Sequence, residues 1–153
     1  MIIEQLDDQV RAQMLAHASL EAPREACGVL ARLADGRLAY CEGVNTDTEG
    51  RDRFRLDPSI WAVVEDAGAE VAAIVHSHPG YSANPSMADR AQCEASGLPW
   101  VIVGLPSGHL VEVAPSGWTA PLEGREFHFG VLDCYTLVQD WYHRTWGLVL
   151  PDF

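Results

Sequence analysis

The sequence predicts a mixed α/β fold in which helices flank a layered β-sheet. Short apolar runs typical of strands alternate along the chain with segments whose apolar residues recur at helical spacing. Glycine, proline and aspartate cluster between these segments, where turns are expected. A chain of 153 residues, 48% of them hydrophobic, is long enough to enclose a sizeable core, so one main domain is expected.

The N-terminal part predicts one helix and a hairpin. Residues 4–20 carry apolar side chains at helical spacing, which indicates an amphipathic helix. Residues 26–33 and 38–44 follow as two strands, joined by an Asp-Gly dipeptide that is typical of hairpin turns. The polar and charged residues 45–55 predict a loop or a strand edge.

The middle of the chain predicts two more helices and three strands. Asp57 or Ser59 is expected to cap a helix that runs to about residue 67. Trp61 and Val64 are expected on the buried side of that helix. The remaining predicted elements are a strand over 71–78, a helix over 86–96 and strands over 100–105 and 109–114.

Two histidines end the predicted strand 71–78. Because side chains alternate along a strand, His76 and His78 project from the same face. Neutral imidazole is the commonest protein ligand for zinc, and Asp89, eleven residues further along, offers a carboxylate as a third ligand. Three protein ligands leave one position for water, which is typical of catalytic zinc sites.

The same residues also have purely structural interpretations. An H-x-H pair at a strand end commonly occurs without a metal, and Ser86-x-x-Asp89 is the pattern of a serine-capped helix N-terminus. The two interpretations of Asp89 are compatible, because a capped helix would hold its carboxylate in place. Taken alone, Glu25, at the entrance of the first strand, fits a solvated loop carboxylate better than a catalytic residue. His17 and His109 have no ligand-like partner in sequence and are expected at a helix surface and a strand surface.

The spacing H-x-H-P-x6-S-x-x-D resembles the signature of the JAMM, or MPN-plus, metallopeptidases. It runs from His76 to Asp89, and Glu25-Ala26-Cys27-Gly28 resembles the segment that carries the upstream glutamate of that family. The resemblance covers residues 1–118. It implies a cytidine-deaminase-like fold, which is a curved mixed β-sheet with flanking helices.

The resemblance also implies a site and a reaction. The ligands of Zn²⁺ would be His76, His78 and Asp89, with a water in the fourth position. Glu25 would act as the general base, and Ser86 would donate to the developing oxyanion. The expected reaction is hydrolysis of a peptide or isopeptide bond. Its expected substrate is a protein or peptide, such as a phage tail protein or a small-protein conjugate.

The end of the chain, residues 127–153, follows a proline- and glycine-containing linker at 119–126. Asp133-Cys134, before an apolar helical run, resembles the nucleophile segment of NlpC-type cysteine peptidases, in which a helix N-terminus lowers the pKa of the thiol. That family needs a histidine far downstream, and only His143 follows Cys134. A JAMM domain followed by the start of a truncated NlpC-type domain resembles phage tail assembly (tail-tip) proteins. Alternatively, this segment is an ordinary C-terminal helix.

Charge and hydropathy narrow the classes of function. The formal net charge of −12 argues against nucleic-acid binding, for which a basic surface is expected. No apolar stretch reaches the roughly 18 residues of a membrane span, and no signal-like leader is apparent, so a cytoplasmic location without a membrane partner is expected. The four cysteines are widely spaced and are expected to be reduced, with Cys27 and Cys93 in the core.

Two other functions remain open alongside the hydrolase. Some MPN domains lack metal ligands and act as scaffolds, so a non-catalytic interaction module is the main alternative. The third is the remnant of a cysteine peptidase acting on peptidoglycan through Cys134. A bound metal is expected only for the metallopeptidase.

Overall fold

The computed structural model describes residues 1–152 and has a short 3-10 helix, Ile3–Gln5, followed by four α-helices and five strands. The helices are α1 (Asp8–Glu21), α2 (Ser59–Asp66), α3 (Met87–Ser96) and α4 (Cys134–Trp146). The strands are β1 (Cys27–Arg32), β2 (Leu38–Glu42), β3 (Glu70–His78), β4 (Trp100–Gly104) and β5 (His109–Val113). The predicted mixed α/β class is confirmed.

The five strands form one mixed sheet in the order β2-β1-β3-β4-β5. β1 pairs antiparallel with both β2 and β3, and β4 pairs antiparallel with β5. The β3–β4 pair is parallel, so the chain between these strands must cross over, and residues 79–99 make that connection. The strand that ends in His76 and His78 therefore lies at the centre of the sheet.

The sheet buries one face against α1 and the other against α2. Because side chains alternate along β1, Leu30 joins the cluster that contains Met14 of α1, whereas Val29 joins the cluster that contains Ile60 and Val64 of α2. All five of these side chains are buried. Burial of large apolar side chains on both faces is the main term that stabilises the sheet.

His17 is not on the helix surface as predicted. It is 6% exposed, and its Nδ1 lies 2.8 Å from the hydroxyl of Tyr40 on β2. Burial is the main cause of a raised pKa for the Tyr40 phenol, which therefore stays protonated. The helical pattern alone could not place His17, because its partner lies 23 residues away in a strand.

Two further details differ from the sequence prediction. α1 begins at Asp8 rather than at residue 4, because the Asp7 carboxylate accepts from the Val10 N–H and caps the helix there. Trp61 on α2 is 40% exposed rather than buried. Ile60 and Val64 form the buried side of that short helix instead.

Contacts between residues divide the chain into two compact units. The first combines Met1–Asn84 with Leu98–Ala114 and contains the whole sheet with α1 and α2. The second combines Pro85–Gly97 with the chain from Pro115 onward and contains α3 and α4. Within residues 1–152, no helix has the length and apolar character that crossing a bilayer requires.

Candidate metal centre

His76 and His78 lie side by side at the end of β3, as the strand alternation predicts. Both side chains are buried, and their Nε2 atoms are 3.1 Å apart. Two nitrogens bound to one tetrahedral zinc at its usual bond length lie about 3.3 Å apart. The two imidazoles are therefore spaced as ligands of a single ion.

Neighbouring groups fix the orientation of both rings. The Nδ1 of His78 lies 2.6 Å from the carbonyl oxygen of Ser82, so Nδ1–H donates there and the Nε2 lone pair faces His76. The ring of Phe54 stacks on His76 with centroids 4.7 Å apart, and Trp100 meets His76 edge-on at 5.3 Å. Such packing holds the rings in place without a metal.

Glu25 is buried beside the histidines rather than solvated in a loop. β1 and β3 pair with Cys27 opposite His76, and continuing this antiparallel register brings Glu25 level with His78. Its side chain is 2% exposed, and its Oε1 accepts a hydrogen bond of 2.7 Å from the hydroxyl of Tyr81. The structural alternative for Glu25 is therefore wrong.

Ser86 and Asp89 form the N-terminus of α3, as predicted. Ser86 Oγ accepts from the Asp89 N–H at 3.0 Å, and Asp89 Oδ2 accepts from the Ser86 N–H at 2.7 Å, which completes a capping box. The Ser86 hydroxyl, an acceptor in this box, keeps its own hydrogen for donation. The carboxylate of Asp89 is 8% exposed.

The three predicted ligands come together. His76, His78 and Asp89 each offer one ligand atom, and these atoms lie within 4.8 Å of one another. The capping role of Asp89 is confirmed and is compatible with the predicted ligand role, because one carboxylate can cap a helix and still present an oxygen to an ion. A His-His-Asp triad is thus placed to bind a metal ion.

The family of prokaryotic homologs of the JAB domain matches residues 7–118. The chain belongs to this family. The family resemblance inferred from the sequence for residues 1–118 is confirmed over residues 7–118. The resemblance of residues 127–153 to NlpC-type peptidases lies outside the match and stays a prediction.

Several proteins are similar to this JAB domain chain. Tail tip assembly protein K of Escherichia phage N15 is 43% identical over 141 residues, which are 92% of this chain and 56% of the phage protein. The desampylase of Haloferax volcanii is 34% identical over 110 residues, which are 65% of this chain and 78% of that enzyme. The CysO-cysteine peptidase of Mycobacterium tuberculosis is 32% identical over 105 residues, which are 65% of this chain and 72% of that enzyme.

A solved structure shares the fold. The solution structure of protein DSY2949 from Desulfitobacterium hafniense superposes with a TM-score of 0.55 and 26% identity, covering 79% of this chain and 97% of that one. The JAB domain chain thus spans nearly all of this neighbour but little more than half of the phage N15 protein. Two of the similar proteins carry the names of hydrolases.

The cysteines take no part in the triad. Burial, the largest cause, and the negative charge of Glu25 together raise the pKa of the Cys27 thiol to about 12. Cys134 is exposed and begins α4, where the Asp133 carboxylate accepts from the N–H groups of Tyr135 and Thr136. His143 lies nine residues along the same helix, so about 13 Å separates it from Cys134 along the axis. These two residues do not form a nucleophile–base pair.

Sequence reasoning missed the groups that orient the site. Tyr81 and Ser82 follow the histidines in a loop of turn-forming residues, and an aromatic residue in such a loop is the one signal that pointed to Tyr81. Phe54 lies 22 residues before His76, so only the folded chain shows that the rings stack.

Proposed function

We propose that this JAB domain is a zinc-dependent metallopeptidase or isopeptidase. The observation that carries the proposal is the cluster of His76, His78 and Asp89, whose ligand atoms lie within 4.8 Å of one another. Two imidazoles and one carboxylate are a donor set typical of catalytic zinc. Zinc held by these residues would supply Lewis-acid activation of a water molecule and of the scissile carbonyl.

Glu25 is the proposed general base. Its carboxylate is buried, and the hydrogen bond from Tyr81 fixes one of its oxygens. In this role it takes the proton of the attacking water and delivers it to the leaving amine. A carboxylate held in a site with little water interacts strongly with the charges that develop there.

Ser86 is the proposed donor to the oxyanion. Its Oγ is fixed at the start of α3 because it accepts from the Asp89 N–H, and the hydroxyl keeps its own hydrogen for donation. A donor fixed before the reaction stabilises the negative charge on the carbonyl oxygen as the tetrahedral centre forms.

A protein conjugate is the substrate class that we propose. Similar proteins include enzymes named desampylase and CysO-cysteine peptidase, which supports a small-protein conjugate, and tail tip assembly protein K, which supports a phage tail protein. The formal net charge of −12 favours a protein substrate over a nucleic acid.

Metal analysis combined with hydrolysis tests this proposal. We expect about one zinc per chain, and cleavage of a fusion between a ubiquitin-like protein and a peptide that stops with a chelator and returns with Zn²⁺. Glu25→Gln should keep zinc and lose cleavage, whereas Glu42→Gln, at an exposed residue of β2, should keep both. A zinc-free protein, or cleavage by Glu25→Gln, would contradict the assignment.

The alternative function is a non-catalytic interaction module. The phage N15 relative is named as an assembly protein, which favours this alternative. For residues 127–153 we retain the proposal of an NlpC-type segment, which Asp133-Cys134 indicates. Exposed aromatic residues in this segment, Phe127, Phe129 and Trp146, are typical of a surface that another segment covers.

A further inference from the structure

The guanidinium of Arg24 is surrounded by backbone carbonyls of a single loop, residues 45–55. Its Nη2 donates to the carbonyl oxygens of Asn45 at 3.1 Å and Asp47 at 2.7 Å. Its Nη1 donates to those of Thr48 at 3.4 Å and Glu49 at 3.1 Å. A planar guanidinium presents five donors in a rigid fork and can hold four carbonyls at fixed positions, whereas a lysine ammonium has only three donors.

The loop is also tied internally around this arginine. The Asp47 carboxylate accepts from the N–H groups of Glu49 and Gly50, both at 2.9 Å, and pairs with Arg53 at 3.2 Å. These hydrogen bonds lower the pKa of the Asp47 carboxyl, and the bond from Gly50 contributes most. Gly50 has a φ of +60°, and a Cβ added there would lie 2.7 Å from the guanidinium carbon of Arg24. The loop is therefore shaped to hold an arginine at this position.

The same loop holds the backbone of the proposed base. The N–H of Glu25 donates to the carbonyl oxygen of Gly50. The carbonyl oxygen of Glu25 accepts from Nδ2 of Asn45 at 3.0 Å. The backbone N–H and the carbonyl oxygen of Glu25 therefore both form hydrogen bonds with the loop that Arg24 holds.

One of the proposed zinc ligands also depends on this loop. Phe54, near the C-terminal end of the loop, stacks on the ring of His76 with an interplanar angle of 21°. Arg53, the residue before it, pairs with Asp47 and so joins Phe54 to the part of the loop around Arg24. A displacement of the loop would move supports of both the base and the ligand.

We propose that Arg24 is a positioning residue for the hydrolytic site. By holding residues 45–49, it fixes the loop that sets the backbone of Glu25 and the ring of His76. The inference rests on the proposed function, because it needs Glu25 as base and His76 as ligand. A displacement of about 1 Å in a catalytic group can cost about 100-fold in rate, so the arginine is expected to act through geometry.

Kinetics of the zinc-loaded full chain test the proposal, with Arg24→Lys compared with Arg37→Lys. Arg37 is an exposed arginine that pairs with Asp35 in the hairpin turn. With the ubiquitin-like fusion as probe, we expect Arg24→Lys to lower kcat about 10- to 100-fold with little change in KM. Arg37→Lys should match the unchanged protein. A lower Tm for Arg24→Lys with normal kcat below that Tm would show a purely structural role and overturn the proposal.

Hydrogen exchange gives a readout that needs no activity. In the unchanged protein the amide of Glu25 should be protected, because it donates to Gly50. Arg24→Lys should lose this protection while the amide of Val29 in β1 keeps its own. Gly50→Ala, whose Cβ pushes on the guanidinium, should do the same and serves as the second variant. Hydrolysis absent from the unchanged protein would count against the proposed function alone, whereas unaltered protection of Glu25 in both variants would overturn the role of Arg24.

Discussion

The hydroxyl of Tyr81 donates to Glu25 Oε1 at 2.7 Å, while the ring of the same tyrosine stacks on His78 with centroids 4.6 Å apart. One side chain thus joins the proposed base to a proposed zinc ligand. Because Glu25 is buried, a donor to its carboxylate offsets part of the cost of removing that charge from water. Tyr81 therefore supports both residues at once.

Replacement of Tyr81 by phenylalanine separates these two contacts. Tyr81→Phe keeps the ring on His78 and removes the donor to Glu25. A hydrogen bond to a charged group contributes about 1.5–3 kcal/mol, so we expect kcat to fall at least about 10-fold with zinc content unchanged. Steady-state kinetics with metal analysis measure this. Unaltered kcat in Tyr81→Phe would mean that the hydroxyl does not orient the base.

The two roles of Asp89 can be separated by comparison with its capping partner. Asp89→Ala removes a proposed metal ligand and half of the capping box, whereas Ser86→Ala removes the capping hydroxyl and leaves all three proposed ligands in place. Both variants should lose about 1 kcal/mol of stability, the usual value of an N-cap side chain. Only Asp89→Ala should also lose zinc affinity, measured by competition with a chelating dye. Equal zinc affinity in the two variants would remove Asp89 from the ligand set.

The sequence was sufficient for features that depend on local spacing. The side-by-side imidazoles follow from strand alternation, and the capping box follows from Ser86-x-x-Asp89. These patterns span a few residues, so the backbone geometry of one element determines them. The order of helices and strands was predictable for the same reason.

The sequence was insufficient wherever a contact joins distant parts of the chain. The burial of Glu25 depends on the pairing of β1 with β3, and the burial of His17 depends on Tyr40 of β2. Trp61 fits a helical stripe, yet α2 has only eight residues and buries Ile60 and Val64 instead. The hydrogen bonds from Arg24 to the loop carbonyls involve backbone groups, which no sequence motif encodes.

The thiols should differ strongly in reactivity. Burial raises the pKa of Cys27 to about 12, so at pH 8 only about one molecule in 10,000 carries the thiolate. Cys134 is exposed at the start of α4. We expect iodoacetamide to label Cys134 at least 100-fold faster than Cys27 in the folded protein. Peptide mass spectrometry measures the labelling rate of each cysteine. Similar rates would mean that the core around Cys27 opens readily.

Substitution of Cys134 tests the cysteine-peptidase hypothesis directly. Cys134→Ser should keep zinc and the full rate of cleavage of the ubiquitin-like fusion, because no Cys134–His143 pair exists along α4. Digestion of purified peptidoglycan by the unchanged protein should be absent. Digestion that disappears in Cys134→Ser would instead support the third function.

Glu94 makes the stability of α3 depend on pH. Its carboxylate accepts from the backbone N–H groups of Ser116, Gly117 and Trp118. These hydrogen bonds lower the pKa of Glu94 below its ordinary value of 4.5, and the bond from Ser116 contributes most. Since the pKa is lower in the folded state, the stabilisation is present above about pH 4.5 and is lost as the pH falls through the folded value. Glu94→Gln should therefore lower Tm at pH 7 and have a smaller effect near pH 3. The comparison needs thermal melts monitored by circular dichroism at both pH values, with Glu123→Gln as an exposed control. An equal loss of Tm at both pH values would show that the ionised carboxylate is not what fastens α3 to residues 116–118.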